Sequence, residues 1–351
     1  MNIVEFNFPK EMEEILTILS SNNVNYWLFG GSVRDLFTNA TPNDYDFVIT
    51  GMCLEEVNEI LEKNNIKSFI VSQRMNVLGI SPNNINCEFA CCKERKDLIS
   101  YLKSLDFTCN SILLDLESGN IIDVFNGYQD IKNKKIKSII PPKSCYSMKP
   151  THMIRAVYVA TKTGFDIDEE DIQAIRSNNI SAFDEPYRLM STRYMTEMIS
   201  TPNCERGFQL LDKVGILGKE FPILGRRLEN GLINFDALRY INDNVREENA
   251  TSETDDRTIL QFLNIFECEK QNINKFYFYN EYKQHISKIL QLAVHYNRFL
   301  GNLSVNDIDK LMIDQHIKSK YRRAVLRIIL ELKDIKSIVK KNNETKLNPE
   351  K

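Results

Sequence analysis

Gly30-Gly31-Ser32-Val33-Arg34-Asp35 is followed, nine residues after Asp35, by Asp44-Tyr45-Asp46. Paired glycines let backbone amides approach a triphosphate with no Cβ in the way, and Arg34 can add positive charge beside the same phosphates. Carboxylates one residue apart on a strand face the same way, so Asp44 and Asp46 can together hold hard cations such as Mg²⁺ through oxygen ligands. A phosphate cradle next to two such carboxylates suits nucleotidyl transfer from a nucleoside triphosphate.

These residues need a frame. Tyr26-Trp27-Leu28-Phe29 reads as a buried strand ending at the glycines, a short helix follows, and Asp44 to Thr50 reads as a second strand entering apolar Phe47-Val48-Ile49. A glycine pair alone is usually a turn, and an Asp-x-Asp alone is usually a solvated strand end. Joined in this order, they favour the catalytic reading. Ahead of them, Met12, Ile15, Leu16 and Leu19 form an apolar stripe at helical spacing behind Pro9. After them come a helix over Leu54 to Lys63, extended runs over 68–71, 76–80 and 85–91, and a hairpin turn at Glu117-Ser118-Gly119-Asn120.

The stretch Leu28-Phe29-Gly30-Gly31-Ser32-Val33-Arg34-Asp35 with Asp44-Tyr45-Asp46 resembles the head-domain signature of the class II RNA nucleotidyltransferases, the family of tRNA CCA-adding enzymes and bacterial poly(A) polymerases. Glu88-Phe89-Ala90-Cys91-Cys92-Lys93-Glu94-Arg95-Lys96 is similar to the segment that brings a third acidic residue to the active-site sheet. Asp106-Phe107-Thr108-Cys109-Asn110 resembles the ribose-contacting motif, and Ile122 to Asp130 the turn after it. The likeness runs from residue 20 to about residue 215. It implies an α+β chain: a polymerase-β-like head with a mixed sheet over 1–140, a helical neck over 141–215, and a helical body and tail over 216–351.

Three departures bear on specificity. Where the family places two arginines before the ribose aspartate, this chain has Ser104 and Leu105. Where the base-reading helix normally begins Glu-Asp-x-x-Arg, the chain has Met148-Lys149-Pro150-Thr151-His152, followed by the better-matched Met153-Ile154-Arg155-Ala156. A lysine and a neutral histidine present different donors and acceptors to a base edge. Only nine residues separate Lys96 from Asp106, where the family usually carries a longer flexible loop.

From Pro141-Pro142 onward, helical periodicity replaces β alternation. Helices are expected at Thr151 to Thr163 closed by Gly164, Asp168 to Ser177, Tyr187 to Ser200, and Glu205 to Val214 closed by Gly215. More are expected at Phe235 to Arg246, Asp256 to Cys268, Asn280 to Leu300, Ser304 to Ile313 and Ser319 to Lys341, with a polar loop over 247–256.

With 351 residues and 42% apolar composition, the chain can build two or more packed units. It has no run of eighteen apolar residues and no signal-peptide pattern at Met1-Asn2-Ile3-Val4-Glu5, so a cytoplasmic location without membrane contact is expected. The eight cysteines lack a Cys-x-x-Cys pair and read as reduced, structural residues. A net charge of −3 argues against indiscriminate coating of nucleic acid. From His316 to Lys351, however, eleven Lys or Arg face four Asp or Glu. That segment is either an RNA-gripping patch or a solvated helix face with a frayed tail.

The resemblance and the residues together set these expectations. Asp44 and Asp46 hold two Mg²⁺ ions that activate an RNA 3′-hydroxyl and neutralise pyrophosphate. Glu88 is the third carboxylate, as metal ligand or general base, or else a surface strand residue. Gly30, Gly31, Ser32 and Arg34 hold the triphosphate, with Asp35 orienting Arg34 or the turn. The resemblance implies that Asp106 and Asn110 contact the ribose, and that His152 and Arg155 either touch the base or merely begin a neck helix. The substrates would be a nucleoside triphosphate, ATP and/or CTP, and an RNA acceptor, with tRNA favoured and no obligate protein partner. Two other readings stand beside CCA addition: poly(A) addition or a tRNA modification with altered nucleotide choice, and a catalytically quiet RNA-binding homologue.

Overall fold

The computed structural model describes residues 8–42, 44–81, 86–245, 256–267, 270–277, 283–300 and 302–347. Two compact units emerge: Met1–Cys145 with Phe165–Asp171, and Tyr146–Gly164 with Ile172–Lys351.

The first unit is built on seven strands, β1 (Asn25–Phe29), β2 (Tyr45–Thr50), β3 (Phe69–Ser72), β4 (Val77–Ile80), β5 (Cys87–Cys92), β6 (Leu113–Leu114) and β7 (Ile121–Ile122). They lie in the order β3-β4-β5-β2-β1-β6-β7. Only the β2–β5 pair is parallel, so the sheet is mixed. Its helices are α1 (Lys10–Ser21), α2 (Gly31–Phe37), α3 (Leu54–Lys63), α4 (Arg95–Ser104) and α5 (Gly127–Lys132). A further two-stranded pair, β8 (Lys135–Ile136) and β9 (Asp166–Ile167), is parallel.

Alternation along the strands divides the sheet into two faces. On one, Leu28 pairs with Phe47 and Phe47 with Phe89, and the last two rings stack at 5.6 Å. The other carries Phe29, Val48, Ala90 and Cys92, which form one buried cluster with Leu102 of α4. Leu98, Tyr101 and Leu105 pack against the same cluster, so α4 covers this face. The short connection expected between Lys96 and Asp106 is therefore mostly helix. It is started by a capping box in which the Asp97 carboxylate accepts from the Glu94 amide at 2.9 Å, and held by the apolar spacing 98, 101, 102, 105.

The second unit is helical. Its helices are α6 (Pro142–Met148), which begins in the first unit, α7 (Thr151–Thr163), α8 (Glu169–Ser177), which also begins in the first unit, α9 (Arg188–Ile199), α10 (Cys204–Lys213), α11 (Ile216–Glu220) and α12 (Pro222–Glu229). They continue as α13 (Phe235–Asn244), α14 (Asp256–Phe266), α15 (Lys270–Ile273), α16 (Lys283–Asn297), α17 (Val305–Asp314) and α18 (Ser319–Leu347). Gly164 ends α7 with φ +73°, as its sequence position predicts. The expected polar loop over 247–256 lies outside the described residues except for Asp256, which begins α14, and the expected helix start at Asn280 and Cys268 lie outside them too.

Five phenylalanines form the centre of this unit. Phe276 stacks on Phe221 at 5.5 Å and meets Phe262 edge-on at 4.9 Å, while Phe183 meets both Phe221 and Phe276 edge-on. Phe266 completes the cluster at 5.2 Å from Phe276. Helix α14 is buried at Asp256 and from Thr258 through Phe266. Its two buried amides are half satisfied: Gln261 Nε2 donates to Asn242 Oδ1 at 2.8 Å and Asn264 Nδ2 to the Asn234 carbonyl at 3.0 Å, while Gln261 Oε1 and Asn264 Oδ1 accept no hydrogen bond from the described residues. Several cations of the basic C-terminal segment are engaged internally. Arg327 pairs with buried Asp256, Arg322 with Asp309 at 2.9 Å, and Lys336 with Glu267. Lys318, Lys320, Arg323 and Lys333 are exposed.

Candidate active site

Gly30 ends β1 and turns the chain into α2 with φ +77° and ψ −147°, a conformation open essentially to glycine alone. The turn needs glycine for a second reason. A Cβ on Gly30 would lie 2.9 Å from Asp46 Oδ2, so the Asp46 carboxylate rests directly against the bare backbone of the turn. The registers Phe29↔Asp46 and Asp46↔Glu88 put Phe29, Asp46 and Glu88 in one row across β1, β2 and β5. Asp46 is half-buried and Glu88 exposed.

Asp44 is exposed and stands in a bend one residue before β2, rather than on the strand as the sequence suggests. Ladder pairing with β5 starts only at Tyr45↔Cys87. Tyr45, between the two aspartates, is buried and points to the opposite face, where its ring lies 5.3 Å from Phe8. Burial raises the Tyr45 phenol above its usual range, and the nearby Asp44 charge adds to the effect.

Ser32 and Arg34 are turned inward. Ser32 Oγ donates to the Phe29 carbonyl at 2.7 Å and is buried. Arg34, only 4% exposed, donates from Nε and Nη2 to Asp35 Oδ1 at 2.9 and 2.6 Å and from Nη1 to Asn110 Oδ1 at 2.7 Å. Its guanidinium sits just behind Gly31, where a Cβ would be 3.2 Å from Nη2. Asn110 Nδ2 in turn donates to Asp106 Oδ1 at 3.0 Å, and the Phe107 amide donates to the same oxygen at 2.7 Å. Arg34, Asp35, Asn110 and Asp106 thus form one buried chain of charge-assisted bonds linking the glycine turn to the segment after α4.

Reading the sequence alone passes over Tyr101. Its ring meets Phe29 edge-on at 5.6 Å, and its phenol is pushed well above the usual range by burial, with Asp46, Glu88, a neighbouring thiol and Asp106 adding to the effect. The helical spacing of Leu98, Tyr101, Leu102 and Leu105 is the signal that would have placed it on this face.

His152 and Arg155 lie on α7 of the second unit and are half-buried. Arg155 Nη1 donates to the Tyr194 hydroxyl at 2.8 Å, its guanidinium lies 5.2 Å from the Tyr194 ring centre, and Tyr194 stacks on Tyr158 at 6.1 Å.

The donor set fits Mg²⁺. That ion takes one or two carboxylates and completes its shell with water and phosphate oxygens, and Asp46, against the glycine turn, and Asp44, exposed one residue before β2, offer such hard oxygens. Among the described residues, no set of three or more His, Cys, Asp or Glu side chains is gathered for a metal, so Glu88 completes no preassembled three-carboxylate cage. The seven described cysteines are free thiols. Among the described residues, no helix is long and apolar enough to cross a membrane.

Residues 26–137 match the family model of the poly A polymerase head domain. Among curated proteins, the CCA-adding enzyme of a Geobacillus species is 26% identical over 217 residues, covering 58% of this chain and 52% of that enzyme. The Lactobacillus helveticus CCA-adding enzyme is 28% identical over 187 residues, 49% of this chain and 45% of its own. The chain thus spans about half the length of the curated relatives it matches. Among solved structures, the Thermotoga maritima CCA-adding enzyme complexed with tRNA superposes with a TM-score of 0.61 at 18% identity, covering 96% of this chain and 83% of that one. The Bacillus stearothermophilus CCA-adding enzyme in complex with CTP also gives 0.61, at 19% identity, over 93% of this chain and 82% of its own. These likenesses establish a shared fold, a mixed-sheet head followed by helices. Residues 26–137 are thus similar to a poly A polymerase head domain, and the matched part of the chain is similar to CCA-adding enzymes.

Proposed function

We propose that this protein transfers a nucleotidyl group from a nucleoside triphosphate to the 3′-hydroxyl of an RNA, a tRNA end being the favoured acceptor. The observation that carries the reading is the packing of Asp46 against Gly30, with 2.9 Å between its carboxylate oxygen and the position of a Cβ. Phosphate turn and carboxylate are thereby a single construction. The relatives' names, CCA-adding enzymes, support the same chemistry.

In this reading Asp44 and Asp46 would hold Mg²⁺, which when bound supplies charge neutralisation at the α-phosphate and a more acidic acceptor hydroxyl. The amides of the Gly30–Gly31 turn cradle the triphosphate. Because the Ser32 hydroxyl and the Arg34 guanidinium face inward, Ser32 contributes through its backbone and Arg34 through charge from behind the turn. Asp106 and Asn110, fixed by Arg34, form the frame assigned to the ribose. Glu88 adds negative charge on the side from which the acceptor hydroxyl approaches. The neck portion, 141–215, carries the proposed base-reading groups His152 and Arg155, and the body and tail from 216 are the proposed RNA-binding region.

One observation favours a second reading with altered nucleotide choice. Arg155 is engaged by Tyr194, and Lys149 and His152 stand where the family's base-reading helix has its Asp and Arg. Both readings are tested by incubating the protein with Mg²⁺, each labelled nucleoside triphosphate in turn, and tRNA ending before or after its CCA. Limited addition of C and A supports CCA addition, and long runs of A alone replace it with poly(A) synthesis. Incorporation of G or U rejects both. No product from the wild type, matching that of Asp46→Ala, leaves a quiet RNA-binding protein.

A further inference from the structure

On the same sheet face as the carboxylates lies an aromatic side chain with no assigned role. Across the sheet the register sets Phe29 beside Asp46, Asp46 beside Glu88, and Glu88 beside Gly79 of β4. Gly79 pairs with Phe69 on edge strand β3. The Phe69 ring fills the space that a side chain at Gly79 would take, since a Cβ there would lie 2.5 Å from Phe69 Cε2 and Cζ. The ring therefore lies over β4 on the carboxylate face. At the usual strand spacing, that is about 5 Å from β5 and about 10 Å from β2. It is 54% exposed.

Phe69 is exposed together with Ile70 and Val71 on the same edge strand, and among them it is the one aromatic, so its position relative to the reaction matters. In nucleotidyl transfer the attacking oxygen and the departing pyrophosphate lie roughly in line through the α-phosphorus. The glycine turn that would cradle the triphosphate tail is at the β1 end of the row. The acceptor hydroxyl must then arrive from the opposite side, over β5, and the nucleotide bearing it continues over β4. An exposed aromatic face there meets a nucleobase. Stacking of this kind contributes without regard to base identity, because every base has a π-face.

We propose that Phe69 is the stacking platform for the terminal base of the RNA acceptor. This assignment rests on the proposed transfer reaction and names where its second substrate sits.

The test uses the full-length protein with Phe69→Trp, Phe69→Leu and Phe69→Ala, and a tRNA acceptor carrying 2-aminopurine at its 3′ end. An exposed side chain contributes little to the fold, so thermal melts should coincide with wild type for all three. From the usual contribution of base stacking, KM for the acceptor should rise about tenfold or more in the Leu and Ala variants. KM for the nucleoside triphosphate should stay within about twofold, and Trp should restore the acceptor value. Wild-type protein should quench 2-aminopurine fluorescence, and the Leu variant should not. An unchanged acceptor KM in Phe69→Leu, or a defect confined to the nucleotide, overturns the proposal. If wild type transfers nothing yet quenches the probe in a Phe69-dependent way, the reaction is wrong and the stacking site stands. If wild type transfers while Phe69→Leu quenches and turns over like it, the site is wrong and the reaction stands.

Discussion

Gly30 is the residue on which the site turns. Gly30→Ala puts an L side chain at φ +77° and a methyl group against Asp46, costing about 1–3 kcal/mol of strain. Because that strain falls on the carboxylate, transfer should drop at least about tenfold while the melting transition stays cooperative. Single-turnover assays beside thermal melts would check both. Arg34→Lys keeps the charge but loses the fork that reaches both Asp35 and Asn110. Leaving buried acceptor oxygens of Asp35 and Asn110 short of donors should cost about 1–3 kcal/mol in chemical denaturation. Gly30, Asp46 and Arg34 were all legible in the sequence as a motif. Their mutual arrangement was not: spacing says that Arg34 follows the glycines, but only the fold reveals that the segment around Asn110, far along the chain, returns to bind it. Tyr101 was missed for the same reason, since its place beside Asp46 depends on how α4 packs.

Elements are positioned by apolar spacing more than by the motifs they carry. Helix α4 holds the carboxylate face through Leu102, which is 1% exposed within the Phe29, Val48 and Ala90 cluster. Leu102→Ala should therefore cost about 2–5 kcal/mol, read as a shift of the urea midpoint. Leu54–Lys63 and Thr151–Thr163 were legible in the sequence to the residue, because each has an apolar stripe with a distinct start or stop signal. The β6–β7 hairpin shrank to two residues per strand. Helices α5, α11 and α12 are five to eight residues long and gave no periodic signal to read. A resemblance centred on a flexible loop hid α4, although the charges at Glu94 and Asp97 and the leucine spacing marked it.

At the scale of the molecule, the first unit carries a group of buried thiols. Burial raises Cys91 and Cys109 each to about 12 and Cys92 to about 11, and pushes Cys87 well above its usual range. In the unfolded chain these groups would ionise near pH 8.5, so in alkali the folded state binds more protons than the unfolded state. Their contribution is fully present below about pH 8.5 and is lost as the pH rises toward 11 to 12. The urea midpoint should accordingly be flat with respect to these groups between pH 6 and pH 8 and fall by pH 10, and replacing Cys91 and Cys92 by Ala should flatten the fall. In the second unit, α14 is enclosed along nearly its whole length, from Thr258 to Phe266. Its amides should therefore be among the slowest of the unit to exchange with deuterium, so those nine residues would gauge the unit's larger openings.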